Sequence, residues 1–380
     1  MIRTALAAAL ATFLLGACGG APPPSAADGT SAPVDAASEA RTLRIYNWSD
    51  YIAEDTIEKF EAETGIKVIY DVFDSNDVLE AKLLSGDTGY DIVVPTLNFL
   101  ARQIKAGVFL ELDRGKLSNH ANLDPEMMQR IAVLDPGNTY SVPYLWGTTG
   151  IGYNVEKVRE ALGEDAPVDS WDLVFKPENV AKLAACGVSF LDAASEMIPI
   201  ALHYLGEDPN SFDEAVIGKS LTLMQSVRPH LRYFHSSQYI NDLANGDICV
   251  AVGWSGDIIQ AATRAEEAGK GVEVAYVIPK EGAPLWFDML AIPKSAKHPD
   301  NAHAFLNYLL RPEVIAGISD YVAYANPNPA STDLVSAEVT GDPTIYPPAE
   351  TMAKLYPLAV LPPEVDRFYT RLWTTLKSGR

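Results

Sequence analysis

The chain has 380 residues, with 29 Lys and Arg against 50 Asp and Glu, for a formal net charge of −21. That length is long for one hydrophobic core and comfortable for two lobes. The charge argues against a nucleic-acid partner, whose phosphates need Lys and Arg clustered on one face. It is compatible with a cationic ligand without establishing one.

The chain opens with Arg3, a short apolar run from Ala5 to Leu15, and the sequence Leu15-Gly16-Ala17-Cys18. A run this short does not span a bilayer, and small residues before a break read as a secretory cleavage site, so residues 1–17 are expected to be a signal peptide. The four residues ending in Cys18 resemble a bacterial lipobox, which implies a lipidated Cys18 and a membrane-anchored protein in the periplasm. An ordinary signal peptide with an incidental Cys18 is the alternative. From Gly19 to about Ala40 the chain is Ala, Pro, Ser, Gly and Asp with almost no bulky apolar residue. Residues 18–41 are therefore expected to form a flexible linker with a reach of about 25 Å.

Strand and helix signals then alternate. Leu43 to Asn47 reads as a strand and Asp50 to Thr64 as a helix stopped by Gly65. Lys67 to Val72 is the next strand, and Asp74-Ser75 caps a helix ending at Gly86. Asp91 to Pro95 reads as a third strand with no room for alternation, as expected for a buried parallel strand. This βαβαβ order defines an open α/β sheet, whose ligands bind beyond the carboxyl ends of its strands. Ser141–Trp146, Gly150–Asn154 and Val272–Pro279 read as extended crossings. The expected organisation is residues 42–146 and 278–326 as lobe 1, and 147–277 and 327–380 as lobe 2.

Cys186 and Cys249 lie beyond the export signal, where thiols meet an oxidising compartment. A bridge between them would close a loop of about 60 residues and stabilise by about 4 kcal/mol on the chain-entropy account. Two buried thiols are the alternative. Neither cysteine nor any of the six His shows metal-ligand spacing, and no cofactor motif is present.

Three segments place an Asp within three residues of a Trp: Trp48-Ser49-Asp50-Tyr51, Trp254-Ser255-Gly256-Asp257 and Trp286-Phe287-Asp288. Each falls at a strand end or start, where open α/β sheets bind ligands. The pairing suits an ammonium group. Enclosing a charged amine carries an effective penalty of several kcal/mol, and a cation–π contact returns only about 0.5 to 2 kcal/mol. A carboxylate for each ammonium has to supply the rest through charge-assisted hydrogen bonds. The plainer readings are that Asp50 and Asp257 cap helices and that the Trp side chains are core. Sugar sites also use Trp faces and Asp hydrogen bonds. The fourth pair, Trp171-Asp172, reads as a helix start.

Several longer runs settle on one family. Ile45-Tyr46-Asn47-Trp48-Ser49-Asp50-Tyr51-Ile52 resembles the opening of polyamine-binding proteins of ABC importers. Tyr70 to Asn76, Gly147 to Asn154, Tyr233 to Leu243 and Gly246 to Ala251 resemble later motifs, closest to the putrescine-binding branch. The resemblance implies a type II periplasmic-binding fold, two α/β lobes joined by crossing hinge strands. It implies polyamine contacts from Trp48, Ser49, Asp50 and Tyr51, from Glu196, Ser236, Trp254 and Asp257, and from Asp288 and Tyr324. It also pairs Cys186 with Cys249, and implies a monomer that works with the permease subunits of an ABC importer. Thr96 and Trp286 are expected ligand contacts as well, and Thr96 stands where the family usually has Ser. Asn98 replaces a smaller residue, and Trp286 a Phe of the putrescine-type pattern. A Trp there resembles spermidine-preferring relatives, whereas Ala193, Asp257 and Leu358 look putrescine-like.

The rival readings are a carbohydrate-binding protein and a lipid-anchored carbohydrate-active hydrolase using the same Trp and Asp residues. A hydrolase needs two carboxylates with separated roles, and nothing in the sequence selects such a pair. Gly253-Trp254-Ser255-Gly256 misses the nucleophile elbow by one residue. The sequence therefore reads as a binding protein and not an enzyme.

Overall fold

The computed structural model describes residues 40–379, which all fall within one compact unit. The signal peptide, Cys18 and the linker up to residue 39 lie outside the described residues. In chain order the strands are β1 (Thr42–Trp48), β2 (Lys67–Phe73), β3 (Ile92–Val93), β4 (Ser141–Asn154), β5 (Val188–Phe190), β6 (Tyr233–Phe234), β7 (Val250–Trp254), β8 (Val274–Val277), β9 (Pro284–Ala291) and β10 (Tyr356–Pro357).

These ten strands form a sheet of order β2-β1-β3-β9-β4-β7-β5-β6, with β10 added to β9 and β8 to β4. The first βαβαβ unit behaves as its pattern dictates: β1 runs parallel to both β2 and β3. Leu43, Ile45, Ile92 and Val93 are buried, because helices cover the centre of a parallel sheet on both faces. A second parallel set, β7-β5-β6, forms the other lobe.

Two antiparallel strands join the sets. The first part of β4, Ser141 to Thr148, pairs with β9, and its remainder, Thr149 to Asn154, pairs with β7 and β8. The register slips between Pro143 and Trp146, where the strand bends. The extended segment expected at Val272–Pro279 contains β8, which pairs with the far part of β4, while β9 makes the return beside the near part.

One helix begins later than its pattern suggests. The first helix is Thr56–Thr64, capped by Gly65 at φ 70° as expected, and not Asp50–Thr64. Asp50 sits in the left-handed region at φ 54°. That breaks the helical run and turns the chain sharply just after β1. The helix Asn76–Leu84 starts as expected, with the Ser75 hydroxyl accepting from the Val78 N–H.

Cys186 and Cys249 are bridged, with Cα atoms 5.4 Å apart. The geometry follows from the sheet: β5 and β7 are parallel neighbours with Val188 opposite Val250, so the segments that lead into them arrive side by side. Replacing both cysteines by Ala is expected to lower the unfolding free energy by about 2–5 kcal/mol in denaturant titrations, with the native spectrum retained.

Candidate binding site

A small cavity lies where the two sheet sets meet. Its walls come from both. Trp48, Ser49 and Tyr51 follow β1, and Thr96 follows β3. Glu196 projects from the helix Ala194–Tyr204, Trp254 ends β7, and Asp257 lies in the first turn of the helix Ser255–Ala268. Trp286 and Asp288 belong to the joining strand β9, and Tyr324 follows the helix Pro312–Val322. All ten were expected site residues. The residue before Tyr324, Ala323, takes φ 55°, a left-handed turn that ends its helix.

Aromatic rings form the walls. Trp48 and Trp254 meet edge to face at 5.4 Å, one from each sheet set. Tyr51 and Trp286 each pack edge to face on Tyr324, at 5.1 and 5.4 Å. The Trp48 indole N–H donates to the Val94 carbonyl at 2.9 Å, which fixes its plane.

Three carboxylates reach the cavity and are nearly out of solvent: Glu196 is 7 % exposed, Asp257 5 % and Asp288 4 %. Among the described residues, no ion pair with Lys, Arg or His involves any of them. Their partners are neutral donors. Asp257 accepts from the Tyr239 and Tyr324 hydroxyls, both at 2.8 Å. Asp288 accepts from the Thr96 hydroxyl at 2.7 Å. Glu196 accepts from the Thr149 hydroxyl, and from the Trp254 indole N–H at 3.0 Å.

Burial dominates their acidity. It pushes Asp257, Asp288 and Glu196 each up to about 7, with the hydroxyl and indole donors pulling the other way. Glu196 and Asp257 also raise Asp288 through repulsion.

Two expected residues lie elsewhere. Asp50 does not line the cavity: its carboxylate pairs with Arg264 at 2.6 Å, and its carbonyl accepts from the Gln260 amide at 3.3 Å. Both partners lie on the helix Ser255–Ala268, so this contact links the turn after β1 to the helix after β7. Ser236 is buried away from the cavity, its hydroxyl accepting from the Asp192 N–H. Sequence reasoning missed Tyr239 and Arg264. Asp257, Gln260 and Arg264 follow at helical spacing, a polar stripe that could have marked one face. No sequence pattern announces Tyr239, which reaches Asp257 across a tertiary contact.

Gly253 and Gly256 make this packing possible. A Cβ at Gly253 would lie 2.6 Å from the Tyr239 ring, and one at Gly256 2.4 Å from the Tyr324 ring. Among the described residues, no cluster of His, Cys, Asp or Glu could hold a metal ion, and no helix is long and apolar enough to cross a membrane.

Two α/β lobes enclosing a cavity at their crossing strands define a ligand-binding protein of the periplasmic type. Residues 55–347 match the family described as bacterial extracellular solute-binding protein. The chain is 60% identical over 345 residues to the Putrescine-binding periplasmic protein PotF of Escherichia coli K12, covering 90% of this chain and 93% of that one. A solved structure described as a putative spermidine/putrescine ABC transporter from Listeria monocytogenes superposes with a TM-score of 0.80 at 35% identity, covering 90% of this chain and all of that one. The TpPotD lipoprotein of Treponema pallidum superposes with a TM-score of 0.74 at 27% identity, covering 89% and 99%. This chain belongs to the bacterial extracellular solute-binding protein family.

The raised carboxyls have a consequence for stability. A group near 4 when unfolded and near 7 when folded binds its proton more tightly in the fold. Its destabilising effect is absent below about pH 4 and fully present above about pH 7. Asp288→Asn is therefore expected to stabilise the ligand-free protein at pH 8 by on the order of 2 kcal/mol. It should leave stability at pH 4 nearly unchanged, as read by denaturant titration at both pH values.

Proposed function

We propose that this protein captures a polyamine, putrescine or spermidine, between its two lobes and delivers it to an ABC importer. The observation that carries the reading is the set of three buried carboxylates with no ion-pair partner among the described residues. Removing carboxylates from water costs several kcal/mol each unless a charge compensates. Ammonium groups of an aliphatic amine supply that charge, and the Trp and Tyr walls sheathe its methylene stem. The name of the Escherichia coli relative supports the same ligand class.

A sugar carries no positive charge and would leave the three carboxylates uncompensated, which argues against the carbohydrate reading. Capture and release, not chemistry on the ligand, fit relatives that are named as binding proteins. Residues 42–146 with 278–326, and 147–277 with 327–380, are the halves proposed to close on the ligand. The Asp50–Arg264 contact fastens the closed clamp at its mouth.

Titration calorimetry of the mature protein with putrescine, spermidine, cadaverine and maltose tests the reading. Micromolar or tighter binding of an amine is expected, weakened about 100-fold or more by Asp257→Ala, which leaves an ammonium buried without its counter-charge. Binding of maltose with no response to amines would reverse the assignment.

We also propose that lipidated Cys18 tethers the protein to a membrane on its periplasmic side, an arrangement supported by the lipobox-like sequence and by a structural relative described as a lipoprotein. Radiolabelled palmitate should mark the protein in cells, and Cys18→Ser should abolish the label. A label that survives the substitution rules out this anchor.

A further inference from the structure

Three hydroxyls that donate to the two cavity aspartates, those of Thr96, Tyr239 and Tyr324, share one feature: each already accepts a hydrogen bond from a group that can only donate. The Thr96 hydroxyl accepts from the Asn76 side-chain amide at 2.8 Å. That amide is itself oriented, because the Thr96 backbone N–H donates to its oxygen at 3.1 Å. The Tyr239 hydroxyl accepts from the Trp254 backbone N–H at 3.2 Å. The Tyr324 hydroxyl accepts from the Asp257 backbone N–H at 3.1 Å.

A hydroxyl has one hydrogen to give. With an N–H occupying its acceptor side, that hydrogen is aimed at the carboxylate: Thr96 to Asp288, and Tyr239 and Tyr324 to the two different oxygens of Asp257. Were Asp257 protonated on either oxygen, two hydrogens would meet or a buried hydroxyl hydrogen would lose its partner. An unmade hydrogen bond of that kind costs about 1–3 kcal/mol. The arrangement thus opposes the neutralising effect of burial, with no protein cation in contact.

We infer that Asn76 and Tyr239, neither of which lines the cavity, are positioning residues for ligand capture: they fix the direction of the hydrogen bonds reaching Asp288 and Asp257 and so keep both carboxylates charged and aimed for the ligand's ammonium groups. The inference rests on the polyamine reading. The other groups facing these carboxylates do not substitute for the relays. Asp257 faces Asp50, which repels it, and Arg264, which is paired to Asp50. Asp288 faces Glu196 and Asp257, which repel it, and the Tyr51 hydroxyl.

Tyr239→Phe keeps the ring and removes one oxygen, and Asn76→Ala removes the amide that orients Thr96. Two measurements on the mature protein decide the matter. The first is putrescine affinity from pH 5 to 9. Each variant is expected to bind roughly tenfold more weakly at pH 7, with the acid limb moved up by about half to one pH unit. In an Asp257→Asn background, Tyr239→Phe should add little further loss. The second is the titration of the aspartate carboxyl carbons by NMR in the ligand-free protein, where Asp257 should titrate higher in Tyr239→Phe and Asp288 higher in Asn76→Ala. A wild-type protein that ignores putrescine at every pH sinks the capture reading but leaves the carboxyl titrations to judge the relays. Carboxyl titrations that do not move in either variant overturn this inference, as does an affinity loss of the same size at every pH.

Discussion

Three carboxylates withdrawn from water around one small cavity, without an ion-paired lysine or arginine among the described residues, set the terms for everything around them. In the empty protein, burial pushes all three toward the neutral form, and repulsion from Glu196 and Asp257 adds to this at Asp288. Oriented hydroxyl and indole donors push back. The balance leaves groups near the point where a proton and an ammonium compete for the same place, so charge in the cavity and occupancy by a cation are coupled. A protein whose task is to hold a cation and later release it gains from this. A permanently paired carboxylate would offer less to the ligand, and an unsupported one would be protonated.

The architecture serves that constraint by drawing the carboxylates from separate places. Glu196 and Asp257 belong to helices of the second sheet set, while Asp288 sits on β9, one of the two joining strands, and is braced by Thr96 from the first. The charge is therefore assembled from both sheet sets. The aromatic walls meet across the same boundary, Trp48 against Trp254 and Tyr51 against Tyr324. Outside them, Asp50 and Arg264 pair at the rim. Because this pair is about one-third exposed, it contributes modestly to stability.

Family membership and the bottom-up reading converge on different grounds. Long motifs such as Ile45 to Ile52 carry the kinship, whereas burial and the missing protein cation carry the chemistry. Two details show why both were needed. Kinship put Asp50 and Ser236 among the ligand contacts, and this structure places both outside the cavity lining. Kinship included Asn76 and Tyr239 in its matching runs but gave them no role, and their hydrogen bonds supply one only once traced.

The sequence by itself determined the alternation of strands and helices, the parallel pairing of β1 with β2 and β3, and the pairing partners Cys186 and Cys249. These follow from periodicity, capping and the oxidising compartment, properties of short segments and of composition. An Asp beside a Trp at a strand end, a local pattern, marked Trp48, Trp254, Asp257, Trp286 and Asp288 around the cavity, whereas Thr96, Glu196 and Tyr324 came only from the family resemblance. The tertiary structure decided the rest. The left-handed turn at Asp50 sent its carboxylate to Arg264, more than two hundred positions away, instead of into the cavity. The direction of each hydrogen bond to Asp257 and Asp288 depends on donors contributed by distant segments. Local sequence fixes which groups a segment carries, but burial and hydrogen-bond polarity are properties of neighbours, and neighbours are chosen by the fold.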